Sequence, residues 1–105
     1  MSGMNAFQTR PQSEQMSTAR RLLKRRASHG DELDLRDGLR ANAAFWTVEG
    51  LHPPYPPIGD VSDLPLPTLH EIRAALIAAA QATSNVHEAS LIGQAAAELN
   101  GDGLA

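Results

Sequence analysis

The chain contains no cysteine, and its 105 residues include four aromatics: Phe7, Phe45, Trp46 and Tyr55. Without thiols there is no disulfide, no thiolate nucleophile and no cysteine metal site, a composition that fits a reducing compartment. β-Branched residues are few, so a sheet has little to build on. No apolar run approaches the roughly 20 residues that span a bilayer, and the N-terminus lacks the apolar stretch of a secretory signal. The expectation is an intracellular, cytoplasmic, soluble protein with no membrane partner.

What is present is alanine and leucine. The apolar fraction is 42%, and these two residues, which lose little freedom in a helix, dominate it. At this length the chain supports one small domain with a modest core and room for one site or interface. Residues 1–12 carry no period and read as a flexible N-terminal arm, 13–100 as a single small helical domain, and 101–105 as a frayed tail.

Four helical segments can be placed. In 13–29, Met16, Ala19, Leu22, Leu23 and Ala27 recur at helical spacing, with Gly30 as the stop. Arg20, Arg21, Lys24, Arg25 and Arg26 are expected to cover the rest of that circumference. In 34–47, Asp34 is a candidate cap and Leu35, Leu39, Ala43 and Trp46 share a face. Gly38 weakens the start of this helix. Residues 48–67 include Pro53, Pro54, Pro56, Pro57, Pro65 and Pro67, which remove backbone donors and fix φ, so this stretch is an extended Pro-rich connector. Thr68 and Glu71 form a T-x-x-E capping box opening the helix 68–83, whose core face is Leu69, Ile72, Leu76, Ala79 and Ala80. Asn85 and Glu88 open the last helix, 86–100. The short link between these two helices makes them an antiparallel αα-hairpin. The fold class is therefore all-α, about four helices with a C-terminal hairpin.

Reactive chemistry is sparse. His70 and His87 each precede a glutamate, but no second histidine follows at helical spacing, so the zinc pattern H-E-x-x-H is absent. The starts of two antiparallel helices lie about 20 Å apart, so His70, Glu71, His87 and Glu88 cannot share a metal. There is no G-x-S-x-G elbow and no phosphate-cradling glycine loop. The reading is a non-enzyme with no cofactor and no metal.

The densest feature is TARRLLKRRASHG, which puts five positive charges into residues 20–26 of a chain with formal net charge −3. Setting those five aside leaves −8, a field that repels a phosphate backbone. Nucleic acid remains a possible partner through phosphate contacts, without any base-reading element beside the helix. The basic side chains can equally dock on an acidic protein or answer Asp31, Glu32, Asp34 and Asp37, which follow at once. Arg25, Arg26 and Ser28 also form R-R-x-S, similar to the substrate motif of basophilic kinases.

HPPYPPIGD holds two overlapping P-x-x-P matches. These resemble ligands of aromatic-lined grooves, but the stronger expectation is a strap laying Leu51, Tyr55 and Ile58 across the helices. Phe45 and Trp46 cannot share one helix face. If Trp46 lies in the core stripe, Phe45 turns outward as an interface residue. These features together predict a protein-binding module, an adaptor or inhibitor, contacting its partner through Arg20, Arg21, Lys24, Arg25, Arg26, Phe45 and Tyr55. The alternatives are a nucleic-acid-binding accessory protein and a minor structural component of a phage or other assembly, with homo-oligomerisation possible.

Overall fold

Ser13 fixes the start of the first helix: its hydroxyl oxygen accepts the Met16 N–H at 3.1 Å, satisfying one of the donors a helix start leaves open. The helix that follows, α1, spans Glu14–Ala27. Its first turn carries Glu14 and its last turn Lys24, Arg25 and Arg26, charges of the signs that the helix dipole favours at each end. The second helix, α2, spans Leu35–Glu49 and runs two residues further than its spacing implies. It ends at Gly50, whose N–H still donates to the Trp46 carbonyl at 2.9 Å. A Cβ there would lie 3.1 Å from that carbonyl oxygen, which makes glycine the comfortable residue.

The computed structural model describes residues 12–28, 35–51 and 54–99, with the backbone alone for 35–37. The arm 1–11, the Gly30 stop, the Asp34 cap, the acidic side chains of 31–37 and the tail 101–105 lie outside the described residues. So do His29, His52 and the Leu35 side chain.

The third and fourth helices, α3 (Leu69–Ala82) and α4 (Val86–Glu98), are joined by three residues and pack on each other as the expected hairpin. Both halves of the Thr68–Glu71 capping box form: the hydroxyl oxygen takes the Glu71 N–H, and the carboxylate takes the Thr68 N–H, each at 3.1 Å. At α4, Asn85 Oδ1 accepts the Glu88 N–H at 2.9 Å, while the Asn85 N–H donates to Thr83 Oγ1. Among the described residues there are four helices and no strand.

The helices close a ring. α1 packs on α2 and α3, and α4 packs on the same two. Leu23, Ile72, Leu76, Ile92 and Leu99 fill the centre, and Ala19, Ala41, Ala44, Ala79 and Ala95, each at most 1% exposed, let the helix axes approach. The stripes expected on α1 and α3 are largely those observed. That of α2 is not. Its buried residues are Ala41, Ala44 and Val48, with Phe45 packed partly against the core, whereas Leu39, Ala43 and Trp46 face solvent. Two small residues a turn apart allow α2 to be flanked closely by α1 and α4, and a tryptophan on that line would hold the helices apart.

Residues 54–68 form neither helix nor strand and lie against α1. Tyr55 and Val61 are buried in this stretch, as is Leu51 after the end of α2, and Ile58 is half-buried. The connector thus contributes core side chains to a small bundle.

Candidate interaction surface

The basic stretch turns out to face two ways. Arg20 is 1% exposed, and its guanidinium forms a bidentate pair with Glu49, Nε donating to Oε2 at 2.8 Å and Nη2 to Oε1 at 2.9 Å. Its Nη1 donates to Gln12 Oε1 at 2.7 Å, and the guanidinium carbon lies 5.1 Å from the centroid of the Tyr55 ring. One side chain therefore ties together the residue that precedes the α1 cap, the last turn of α2 and the strap. Such planar, forked, charge-assisted contacts are the strong kind. Arg26 is also buried, at 7% exposure. The expectation that Arg20 and Arg26 line the outer circumference of α1 is corrected here: both point inward.

Lys24 and Arg25 hold the strap. Lys24 Nζ donates to the carbonyls of Ile58 at 3.4 Å and Gly59 at 3.2 Å, and Arg25 Nε donates to the Leu64 carbonyl at 2.7 Å. A Pro-rich segment has carbonyls without ladder partners, and cationic side chains are suited to supply the missing donors. Of the five basic residues, Arg21 is the one on the exposed side of α1. Tyr55, expected as either a contact residue or a strap anchor, is 7% exposed beneath Arg20.

Beside Tyr55 lies a cavity of about 320 Å³, between the N-terminal ends of α1 and α4 and the C-terminal end of α3. Met16, Ala79 and Ile92 give it an apolar wall. Its polar rim already serves the fold: Ser13 and Asn85 cap helices, Thr83 receives the Asn85 N–H and Gln12 receives Arg20. Among the described residues no three histidine or carboxylate side chains gather as a metal site, and no helix is long and apolar enough to cross a membrane.

The outer face of α2 is different. Leu39 is 61% and Trp46 63% exposed, with the exposed Ala43 between them. Phe45 and Trp46 exchange the roles that the spacing gave them, Phe45 turning toward the core and Trp46 outward. The two rings meet edge to face, centroids 5.2 Å apart at 71°, a favoured aromatic geometry that restricts where the indole can go. The sequence signal for this was the adjacency of Phe45 and Trp46, which requires that one of them leave the core but does not say which.

No family model, no curated protein and no solved structure matches this chain.

Proposed function

We propose that this protein is a non-enzymatic protein-binding module whose contact surface is the outer face of α2, centred on Trp46. The observation that carries the reading is the 63% exposure of the one tryptophan in the chain. Tryptophan is the residue type most enriched among interface anchors, and leaving it in water forgoes burial worth on the order of 2–3 kcal/mol. Leu39, one heptad earlier on the same face, extends the apolar strip. The support from α1 is negative in kind: Arg20, Lys24 and Arg25 are committed to contacts within the chain, so the basic stretch offers a partner less charge than its composition implies.

The test is affinity capture from the native cell extract with wild type, Trp46→Ala, and a variant with Arg21 changed to Gln. A protein captured by wild type and the Arg21 variant but absent with Trp46→Ala is the expected result. Capture by Trp46→Ala at the wild-type level would place the contact elsewhere and overturn the reading. Adaptor, inhibitor and assembly component are then distinguished by what the partner is.

A further inference from the structure

We infer that the outer face of α2 takes a second copy of this chain, as an antiparallel α2–α2 pair about a two-fold axis. This rests on the reading of that face as a protein contact and names its occupant. The argument is the order of side-chain sizes along the helix. Leu39, Ala43, Trp46 and Gly50 are all exposed. They follow one another at spacings of four, three and four residues, the alternation that keeps one seam facing a partner helix. Their sizes run large, small, large, small.

Laid antiparallel with the axis passing between Ala44 and Phe45, two such helices place every large residue opposite a small one. Trp46 meets Ala43 of the second copy, Leu39 meets Gly50 of the second copy, and the two-fold repeats both contacts. A parallel in-register pair would stack tryptophan on tryptophan. The contact is self-complementary in the sense a two-fold interface requires, since the same patch supplies both knob and hole. Charge does not oppose it: on the flanks Arg40 comes beside Thr47 of the second copy, and Asn42 beside Glu49 of the second copy. Glu49 is itself neutralised by Arg20. The edge-to-face contact with Phe45 holds the indole in place beforehand, which reduces the freedom lost on association.

The area sets the class of contact. A large aromatic side chain buries about 150–250 Å² in full, so Trp46 still has on the order of 150 Å² to bury. With Leu39 and the flanks, the pair covers roughly 800–1,000 Å² in total, below the 1,200–2,000 Å² of stable complexes. The contact therefore falls in the class of weak, transient interfaces, and chain concentrations of about 10–500 μM are the range in which to look for it.

Sedimentation equilibrium of the full chain across that range, with tryptophan emission read on the same samples, tests the inference. The expected result is a weight-average mass rising toward twice that of the monomer, with a blue shift of Trp46 emission following the same curve. Ala43→Arg and, separately, Leu39→Glu should stay monomeric with unshifted emission. Both changes fall on exposed positions, and matching far-UV circular dichroism and melting midpoints establish that the variants are folded. A wild type that remains monomeric throughout overturns the inference, as does a dimer that persists in both folded variants. A monomeric wild type that still loses a captured protein on Trp46→Ala would refute the second copy while leaving the protein-binding reading standing.

Discussion

Replacing Glu49 with alanine should be among the most damaging single changes in this chain, although Glu49 sits at the end of a helix. The reason lies in what it leaves behind. Arg20 is 1% exposed and has two of its N–H groups on the Glu49 carboxylate. Without that acceptor the guanidinium keeps the Gln12 amide oxygen and the Tyr55 ring face, but its charge loses the carboxylate that neutralises it. Removing one member of a buried pair costs about 3–5 kcal/mol. Glu49 is 21% exposed, which screens part of the attraction, so the low end, about 3 kcal/mol, is expected. Against a total of about 5–15 kcal/mol for a domain, this lowers the melting midpoint by roughly 12–24 °C at 4–8 °C per kcal/mol. Arg20→Met removes the buried charge itself and leaves a carboxylate that can turn to solvent, at about 1–2 kcal/mol. The double variant Arg20→Met, Glu49→Leu should be more stable than Glu49→Ala alone. Urea titrations followed by far-UV circular dichroism give all three values, provided the m values agree. If Glu49→Ala costs under about 1 kcal/mol, Arg20 is not the buried hub described here and the account of α1 fails.

Three other outcomes follow from contacts already described. Phe45→Ala should destabilise the fold by about 2 kcal/mol because Phe45 packs partly against the core, whereas Trp46→Ala should stay within about 0.5 kcal/mol of wild type; thermal melts at low concentration separate the two. Arg25→Leu deletes the donor to the Leu64 carbonyl, so exchange of the Ser62 and Leu64 amides, whose acceptors lie within the strap, should quicken by several-fold while α3 and α4 stay protected. Asp60 accepts the Ser62 N–H at 2.9 Å, and this bond, with a further Ser62 contact and the Lys24 charge, holds its pKa below the ordinary 3.8. Folding thus favours the ionised carboxylate: its contribution is present above the unfolded value and lost as pH falls through the lowered folded one. An NMR titration should put the Asp60 midpoint below 3.8, and Ser62→Pro, which removes the donor, should raise it.

Helix existence and most of the core could be read from the sequence because those depend on local signals. The Thr68–Glu71 box, the three-residue link at 83–85 and the stripes Met16–Ala19–Leu23 and Leu69–Ile72–Leu76–Ala79 need no knowledge of neighbours. The inner face of α2 departs from its hydrophobic spacing because it is decided by what packs on either side. Ala41, Ala44 and Val48 have less apolar surface than Leu39 and Trp46, so a ranking by hydrophobicity selects the wrong line, while packing density selects the small one. The burial of Arg20 was invisible for a related reason. Its acceptor is twenty-nine residues away, whereas the nearby acids at 31–37 were the obvious local candidates. The strap is legible in its prolines, but Lys24 and Arg25 as its donors are not, because the pairing is between side chain and carbonyl and leaves no mark in the sequence.

The same side-chain placements set a limit on what α1 can contribute to binding a nucleic acid. Each phosphate neutralised by a lysine or arginine releases counterions and adds about −0.9 to the slope of log K against log salt on duplex DNA. If all five basic residues of α1 met phosphates, the slope would be about −4.5. Arg20 is enclosed against Glu49, Arg26 is buried, and Lys24 and Arg25 would have to release the carbonyls of Ile58, Gly59 and Leu64 before reaching out. Of these five, Arg21 is the one placed to contact a phosphate without disturbing the fold. The expected contribution of α1 to the slope is therefore no steeper than about −1. Fluorescence anisotropy with a labelled duplex at several salt concentrations measures it. A slope near −4.5 accompanied by loss of strap protection in hydrogen exchange would show that phosphate displaces the strap, and the basic stretch would then be a nucleic-acid surface held closed by residues 54–64. A shallow slope, with Arg21→Gln abolishing what binding there is, would mean that the charges of α1 are spent inside the molecule.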